Sequence, residues 1–141
     1  MKAERARLLR LQRLERVRAI AKQAAATEAA QAESTLAQLE ALAERSRSLA
    51  ADYAARSEAT DGAALKHLGS FTGGLRGIAQ NATSDAARAR DIADSKLTAL
   101  GLAERRRAAV EERAVKQKKA IAKRGNEPVL GNRKGFGTDL D

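Results

Sequence analysis

The chain has 141 residues, enough for one domain, and its composition excludes several classes of protein. Aromatic residues make up 2% and Trp is absent, so a bulky globular core is not expected. Charged residues make up 32%, and Ala and Leu are abundant. This composition is typical of long helices and coiled coils. There is no Cys, which excludes disulfide scaffolds and thiolate chemistry and fits a reducing compartment. The N-terminal leucines are interleaved with Arg, so we expect neither a signal peptide nor a membrane span, and we predict a cytoplasmic protein.

The net charge of +9 is concentrated in two segments. Residues 1–22 hold eight Lys/Arg against two Glu, and residues 104–124 hold nine Lys/Arg against three Glu. The stretch between them, 23–103, holds eight basic and ten acidic residues. A fold that brings the two basic segments together would therefore create one strongly positive surface.

The first predicted element is a helix over residues 3–58. Its apolar residues keep a heptad phase, although polar residues such as Arg18, Glu28 and Ser46 dilute it. The predicted buried positions of this arm are Leu11, Leu14, Ala21, Ala25, Ala32, Leu39, Leu42, Leu49 and Tyr53. Opposed charges at helical spacing, such as Glu44 before Arg47, indicate a solvated outer face.

A change of composition over residues 59–74 predicts a connector. Gly62 is expected to end the first helix in a left-handed conformation, and a short helical turn is possible after it. Ser70 or Thr72 would then cap the second helix. Three glycines at positions 73, 74 and 77 are expected to weaken the start of that helix by roughly 1 kcal/mol each relative to Ala.

The second predicted helix, 75–124, has the clearest pattern in the chain. Alternating steps of four and three residues select fourteen positions, of which all but Lys96, Arg107 and Gln117 are apolar. These positions are Leu75, Ala79, Ala82, Ala86, Ala89, Ala93, Lys96, Leu100, Ala103, Arg107, Val110, Ala114, Gln117 and Ile121. Such a repeat, uninterrupted by Pro, predicts the buried seam of a coiled coil.

Together these elements predict an all-α fold: residues 1–124 form a two-helix antiparallel coiled-coil hairpin with a flexible, disordered C-terminal tail, 125–141. The tail contains Pro128 and several glycines. Folding the chain near residue 66 would place leucines of the first arm opposite alanines of the second, with Leu39 facing Ala93, Leu49 facing Ala82, and Tyr53 facing Ala79. Large residues would then meet small ones, and both basic segments would lie at the same end.

Catalysis has little support in the sequence. His67 is the single His, and no carboxylate pair, metal-ligand cluster or phosphate-binding glycine loop accompanies it. A solvated histidine is the simpler interpretation. We therefore predict that the protein is not an enzyme and that it binds no cofactor, metal or nucleotide directly.

Two features indicate partner binding instead. Positive charge at a helix N-terminus is unfavourable, so the N-terminal arginines suggest an acidic partner: a protein, a phosphate backbone or an anionic lipid. The second feature is an apolar stripe formed by Phe71, Leu75 and Ile78 near the turn. This stripe either closes the end of the bundle or docks a partner.

The residues Tyr53, Gly62, Leu65, Leu68, Phe71, Leu75 and Ile78, set between two basic coiled-coil arms, resemble the FliJ family and its injectisome counterparts of the YscO type. The resemblance implies a non-catalytic stalk and chaperone component of the flagellar type III protein export apparatus, cytoplasmic or peripheral at the inner face of the cell membrane. It also implies three partners: a hexameric export ATPase, an export gate membrane protein and export chaperones.

The resemblance also assigns the binding residues. The gate would contact Phe71, Leu75 and Ile78. The ATPase would receive the basic end through eleven cations, Arg5, Arg7, Arg10, Arg13, Arg16, Arg18, Arg105, Arg106, Arg113, Lys116 and Lys119. The alternative is a basic coiled-coil module for nucleic acid or the ribosome, against which stands the absence of aromatic residues from both basic segments.

Overall fold

The computed structural model describes the backbone of residues 1–56 and 61–138 and the side chains of residues 1–56 and 61–126. It contains two helices, α1 (Lys2–Ala55) and α2 (Gly62–Thr138), and no strand in these ranges. The helices pack antiparallel against each other, so the predicted fold class, an all-α two-helix hairpin, is confirmed.

Helix α2 begins at Gly62, well before the predicted start at residue 75. The cause is that Asp61 caps the N-terminus of α2. Its side chain accepts a hydrogen bond from the Ala64 amide at 2.6 Å, and its carbonyl accepts one from the Leu65 amide. Gly62 is therefore the first helical residue, and no glycine in the described part has a positive φ. Thr72 is not a cap either, because its hydroxyl donates to the Leu68 carbonyl inside the helix.

The predicted seam of α2 is confirmed. None of its fourteen positions is exposed, and most of the alanines among them are buried, as are Leu75 and Val110. The seam also extends one heptad towards the N-terminus, because Thr72 is buried and Leu68 is half-buried. The heptad pattern of apolar residues separated by charged ones in the sequence thus predicted every buried position from 75 to 121.

The seam of α1 was predicted only in part. Leu11, Ala25, Ala32, Leu39 and Tyr53 are half-buried as expected. Four other predicted positions are exposed, namely Leu14, Ala21, Leu42 and Leu49. In the central stretch the buried positions are Ala29, Ala43, Ser46 and Ala50, of which only Ser46 lies on the predicted heptad phase. At Leu42 and Leu49 the seam lies one residue later, at Ala43 and Ala50, because small side chains there let the two backbones approach closely.

The facing residues also differ from the prediction. Tyr53 packs on Phe71 rather than on Ala79, and Glu28 binds Lys96. Because α2 begins early, the connection between the helices is shorter than predicted. The residues of α1 and α2 that face each other therefore differ from the predicted pairs by about one heptad. A shift of one heptad leaves the same positions of α2 in the seam. Small residues of α1, such as Ala43, therefore pack in a seam that is itself mostly Ala. The expected pairing of large with small residues is wrong for Leu49, which is exposed.

The chain divides into two compact units. We call Met1–Ala25 with Leu100–Asp141 the terminal unit, and Ala26–Ala99 the central unit. Helical backbone continues past the predicted end at Arg124 to Thr138. The predicted flexible tail, 125–141, falls mostly on residues whose side chains lie outside the described part, and it stays a prediction.

Candidate functional site

Both basic segments belong to the terminal unit, where the two helices contact each other directly. The Gln117 side-chain amide donates to the Glu4 carbonyl at 3.3 Å, and Arg124 forms an ion pair with the Glu4 carboxylate. The expectation that the two positively charged segments lie side by side is therefore confirmed.

The predicted cations of α1 are all on the surface except one. Arg5, Arg7, Arg10, Arg13 and Arg16 are exposed, and none of the ion pairs found among the described residues involves them. At about 3.6 residues per turn, their spacing distributes them around the whole exposed arc of the helix rather than along one line. We call these five residues the arginine belt.

The predicted cations of α2 are also exposed. They are Arg105, Arg106, Arg113, Lys116 and Lys119. Lys116 forms an ion pair with Glu112 at 3.4 Å within its own helix, and both side chains are largely solvated. Such a pair contributes little to stability, so most of the positive charge of this segment is available to a partner.

Arg18 differs from the other predicted cations because it lies in the seam. It is half-buried, and its Nε is buried without a hydrogen-bond partner. The Nε of Arg107 on α2 and one carboxylate oxygen of Glu4 are also buried without a hydrogen-bond partner. The polar seam of the terminal unit was visible in the sequence at Arg18, Arg107 and Gln117, but Glu4 was not predicted, because the predicted buried positions of α1 began at Leu11.

The central unit has a charged side. Glu40 accepts a hydrogen bond from Arg90 across the helices, and Arg47 donates to the Thr83 hydroxyl at 2.9 Å. Each of these four residues directly follows a seam position, at 39, 46, 82 and 89. Positions that follow the seam on both helices therefore share one side of the unit.

The opposite side of the central unit is apolar. It is formed by residues that directly precede seam positions, and five of them are large, apolar and 40–56% exposed. They are Leu42, Leu49, Phe71, Ile78 and Ile92, which we call the apolar stripe. Leu42, Leu49 and Ile92 were not predicted as surface residues. Each directly precedes an Ala, and an Ala in the seam would have indicated that the residue before it is exposed.

The predicted gate-docking residues differ in their exposure to solvent. Phe71 and Ile78 belong to the apolar stripe, whereas Leu75 is only 9% exposed and packs in the seam. A shallow groove runs between them, lined by His67, Ser70, Phe71, Gly74, Leu75 and Ile78. His67 is exposed on α2 rather than in a loop.

The described residues contain no group of His, Cys, Asp and Glu side chains that could hold a metal ion. Neither helix, over the part that was described, contains a segment apolar enough to cross a membrane.

Comparisons with known proteins add no further assignment. The chain matches no protein-family model, and neither a curated protein nor a solved structure matches it.

Proposed function

We propose that this chain is a non-catalytic stalk of the flagellar type III protein export apparatus, and that its terminal unit inserts into the central hole of the hexameric export ATPase. The observation that carries the proposal is the meeting of both basic segments in one antiparallel two-helix unit, with Glu4 in contact with Gln117 and Arg124. The resemblance to the FliJ family supplies the identity of the partner.

The arrangement of the arginine belt supports enclosure by a ring. A helix that binds a flat surface, such as a bilayer, concentrates its cations on one side. Here the five arginines face outward in all the exposed directions of α1, and the cations of α2 add to them. A partner that surrounds the unit with acidic groups uses all of these charges at once.

The central unit would remain available to other partners in the same apparatus. Phe71 and Ile78 expose apolar surface to which the export gate membrane protein would bind, and export chaperones are further candidate partners. Leu75 would support this surface from the seam rather than contact the gate. The same roles in an injectisome would follow from the resemblance to proteins of the YscO type.

The test is an ATPase assay with a purified export ATPase and the full chain. We expect the chain to raise the rate of ATP hydrolysis, and the substitution of Arg5, Arg10 and Arg13 by Ala to lower this stimulation at least tenfold. The matched control removes three exposed cations from the central unit, by substituting Arg45, Lys66 and Arg76 with Ala. The control should stimulate like the wild type, and equal stimulation by the belt variant would refute the proposal.

The same variants separate the stalk from the nucleic-acid alternative. A nucleic-acid module would retain labelled DNA or RNA with an affinity that falls steeply with salt, and the belt variant would reduce that slope. Neither basic segment contains an aromatic residue on which bases could stack. We therefore expect the wild type to bind both nucleic acids only weakly, at low salt and without preference for sequence.

A further inference from the structure

Apart from Phe71, which packs on Tyr53, the apolar stripe of the central unit is not explained by the packing of α1 on α2. Its five large side chains all lie on the side away from the Glu40–Arg90 ion pair, and each keeps about half of its surface in contact with solvent. The seam beneath them is built mainly from alanines such as Ala43, Ala50 and Ala79. Several of the largest apolar side chains of this unit are therefore at its surface, although Leu75 is buried in the seam.

We propose that the apolar stripe is the interface through which two copies of this chain associate, side by side, as a four-helix bundle. The proposal concerns the free protein and does not depend on the proposed export function. Two-helix units with one apolar side gain a second core layer when they pair in this way.

A second copy fits the stripe because the stripe is self-complementary. The two helices carry large apolar residues at the same seven-residue spacing, at Leu42 and Leu49 on α1 and at Phe71 and Ile78 on α2. A two-fold axis would place α1 of one copy against α2 of the other, as an isologous interface requires. Two acidic residues lie on the same side as the stripe, and each forms an ion pair: Asp85 with Arg88, and Glu28 with Lys96.

The charge of the central unit also permits self-association. Residues 26–99 hold eight Lys/Arg against ten Asp/Glu, so two copies meet here without the repulsion that the basic segments would cause. Five large side chains that are about half exposed present roughly 400 Å² on each copy. With the flanking atoms, two copies would bury about 1,000 Å², the lower limit of a specific interface, so we expect a weak dimer.

Sedimentation velocity of the full chain, over micromolar to submillimolar concentrations, tests this inference. We expect the average mass to rise from one copy to two as the concentration increases. Leu42→Glu together with Ile92→Glu should keep the chain monomeric throughout, with unchanged helical circular dichroism. This pair leaves Phe71 and Ile78 intact, so gate binding and ATPase stimulation can be measured separately.

The matched control places two glutamates off the stripe, with Ala87→Glu and Leu97→Glu. Leu97 is as exposed as Leu42, at 44% against 43%, but it follows a seam position and lies on the charged side. This variant should dimerise like the wild type. A wild type that remains monomeric, or association lost equally in both variants, would overturn the inference.

A second measurement uses the absence of Cys from the chain. A spin label on Leu97→Cys reports the distance between copies without touching the stripe. We expect one defined intermolecular distance, which disappears when Leu42→Glu and Ile92→Glu are added. A broad distribution that these substitutions do not change would show non-specific contact and contradict the dimer.

Discussion

Tyr53 and Phe71 pack edge to face, with ring centroids 4.8 Å apart and planes inclined by 78°. They join the last turn of α1 to an early part of α2, and the Arg56 guanidinium lies 4.4 Å from the centre of the Tyr53 ring. This aromatic pair therefore adds large apolar contact between the helices near the connection.

Loss of either ring should destabilise the hairpin. We expect Tyr53→Ala and Phe71→Ala each to lower the free energy of unfolding by about 1–2 kcal/mol, with a coupling of about 1 kcal/mol between them. Urea unfolding of the two single variants and the double variant, followed by circular dichroism, measures both quantities. Strictly additive losses would mean that the two rings do not interact.

Arg107 should lower the stability of the folded chain, because it occupies a position in the seam. Its Nε is buried in the seam without a hydrogen-bond partner, so replacing Arg107 with Leu removes an unsatisfied polar group and adds apolar contact. We expect Arg107→Leu to stabilise the chain by about 1 kcal/mol in thermal or urea unfolding. The exposed neighbour Arg106 is the control, and Arg106→Leu should change stability by less than about 0.5 kcal/mol.

The glycines near the start of α2 reduce its stability. Gly69 and Gly73 are exposed, and a Cβ atom added at either position would meet nothing within 4 Å. We expect Gly69→Ala and Gly73→Ala each to increase the free energy of unfolding by about 0.5–1 kcal/mol. Hydrogen exchange should slow at neighbouring amides. A decrease in stability would show that these residues are not helical in solution.

Gate binding, if the proposed function holds, should depend on the exposed members of the docking set and not directly on Leu75. Phe71→Asp with Ile78→Asp should abolish capture by the cytoplasmic part of the export gate protein, because both side chains are about half exposed. The chain should stay helical, although loss of the contact between Tyr53 and Phe71 lowers its stability. Leu75→Asp should instead unfold part of the hairpin, because it places a charge in the seam.

A double variant that unfolds would contradict this assignment and place Phe71 and Ile78 in the core. The control is Arg76→Asp together with Gln80→Asp, two exposed positions on the same stretch of α2, which should leave capture unchanged.

The sequence was sufficient for the fold class and for the α2 seam, because charged and amide residues separate its apolar positions at every turn. It was insufficient for α1, where Leu42 and Leu49 lie one position before Ala43 and Ala50. Hydrophobicity favours the leucines as the buried set, whereas close helix packing favours the alanines, and a heptad pattern alone does not decide between them.

The connection shows a different limit of sequence reasoning. Asp61 followed by Gly62 is compatible with the end of one helix or with the beginning of the next. The hydrogen bond from the Ala64 amide to Asp61 shows that these residues begin the second helix. This earlier start of α2 changes which residues of the two helices face each other. Of the candidate sites, the exposed cations followed from charge alone, whereas the apolar stripe required knowledge of which residues the seam buries.

The different seams of the two units have a consequence for how the chain folds. The central unit closes over a short connection with small apolar residues in contact, so its loop entropy is low and it can serve as the folding nucleus. The terminal unit joins residues such as Glu4 and Gln117 that are far apart in sequence, and it buries unsatisfied polar atoms. It should therefore form last and open first, so hydrogen exchange should be faster in the terminal unit than in the central unit.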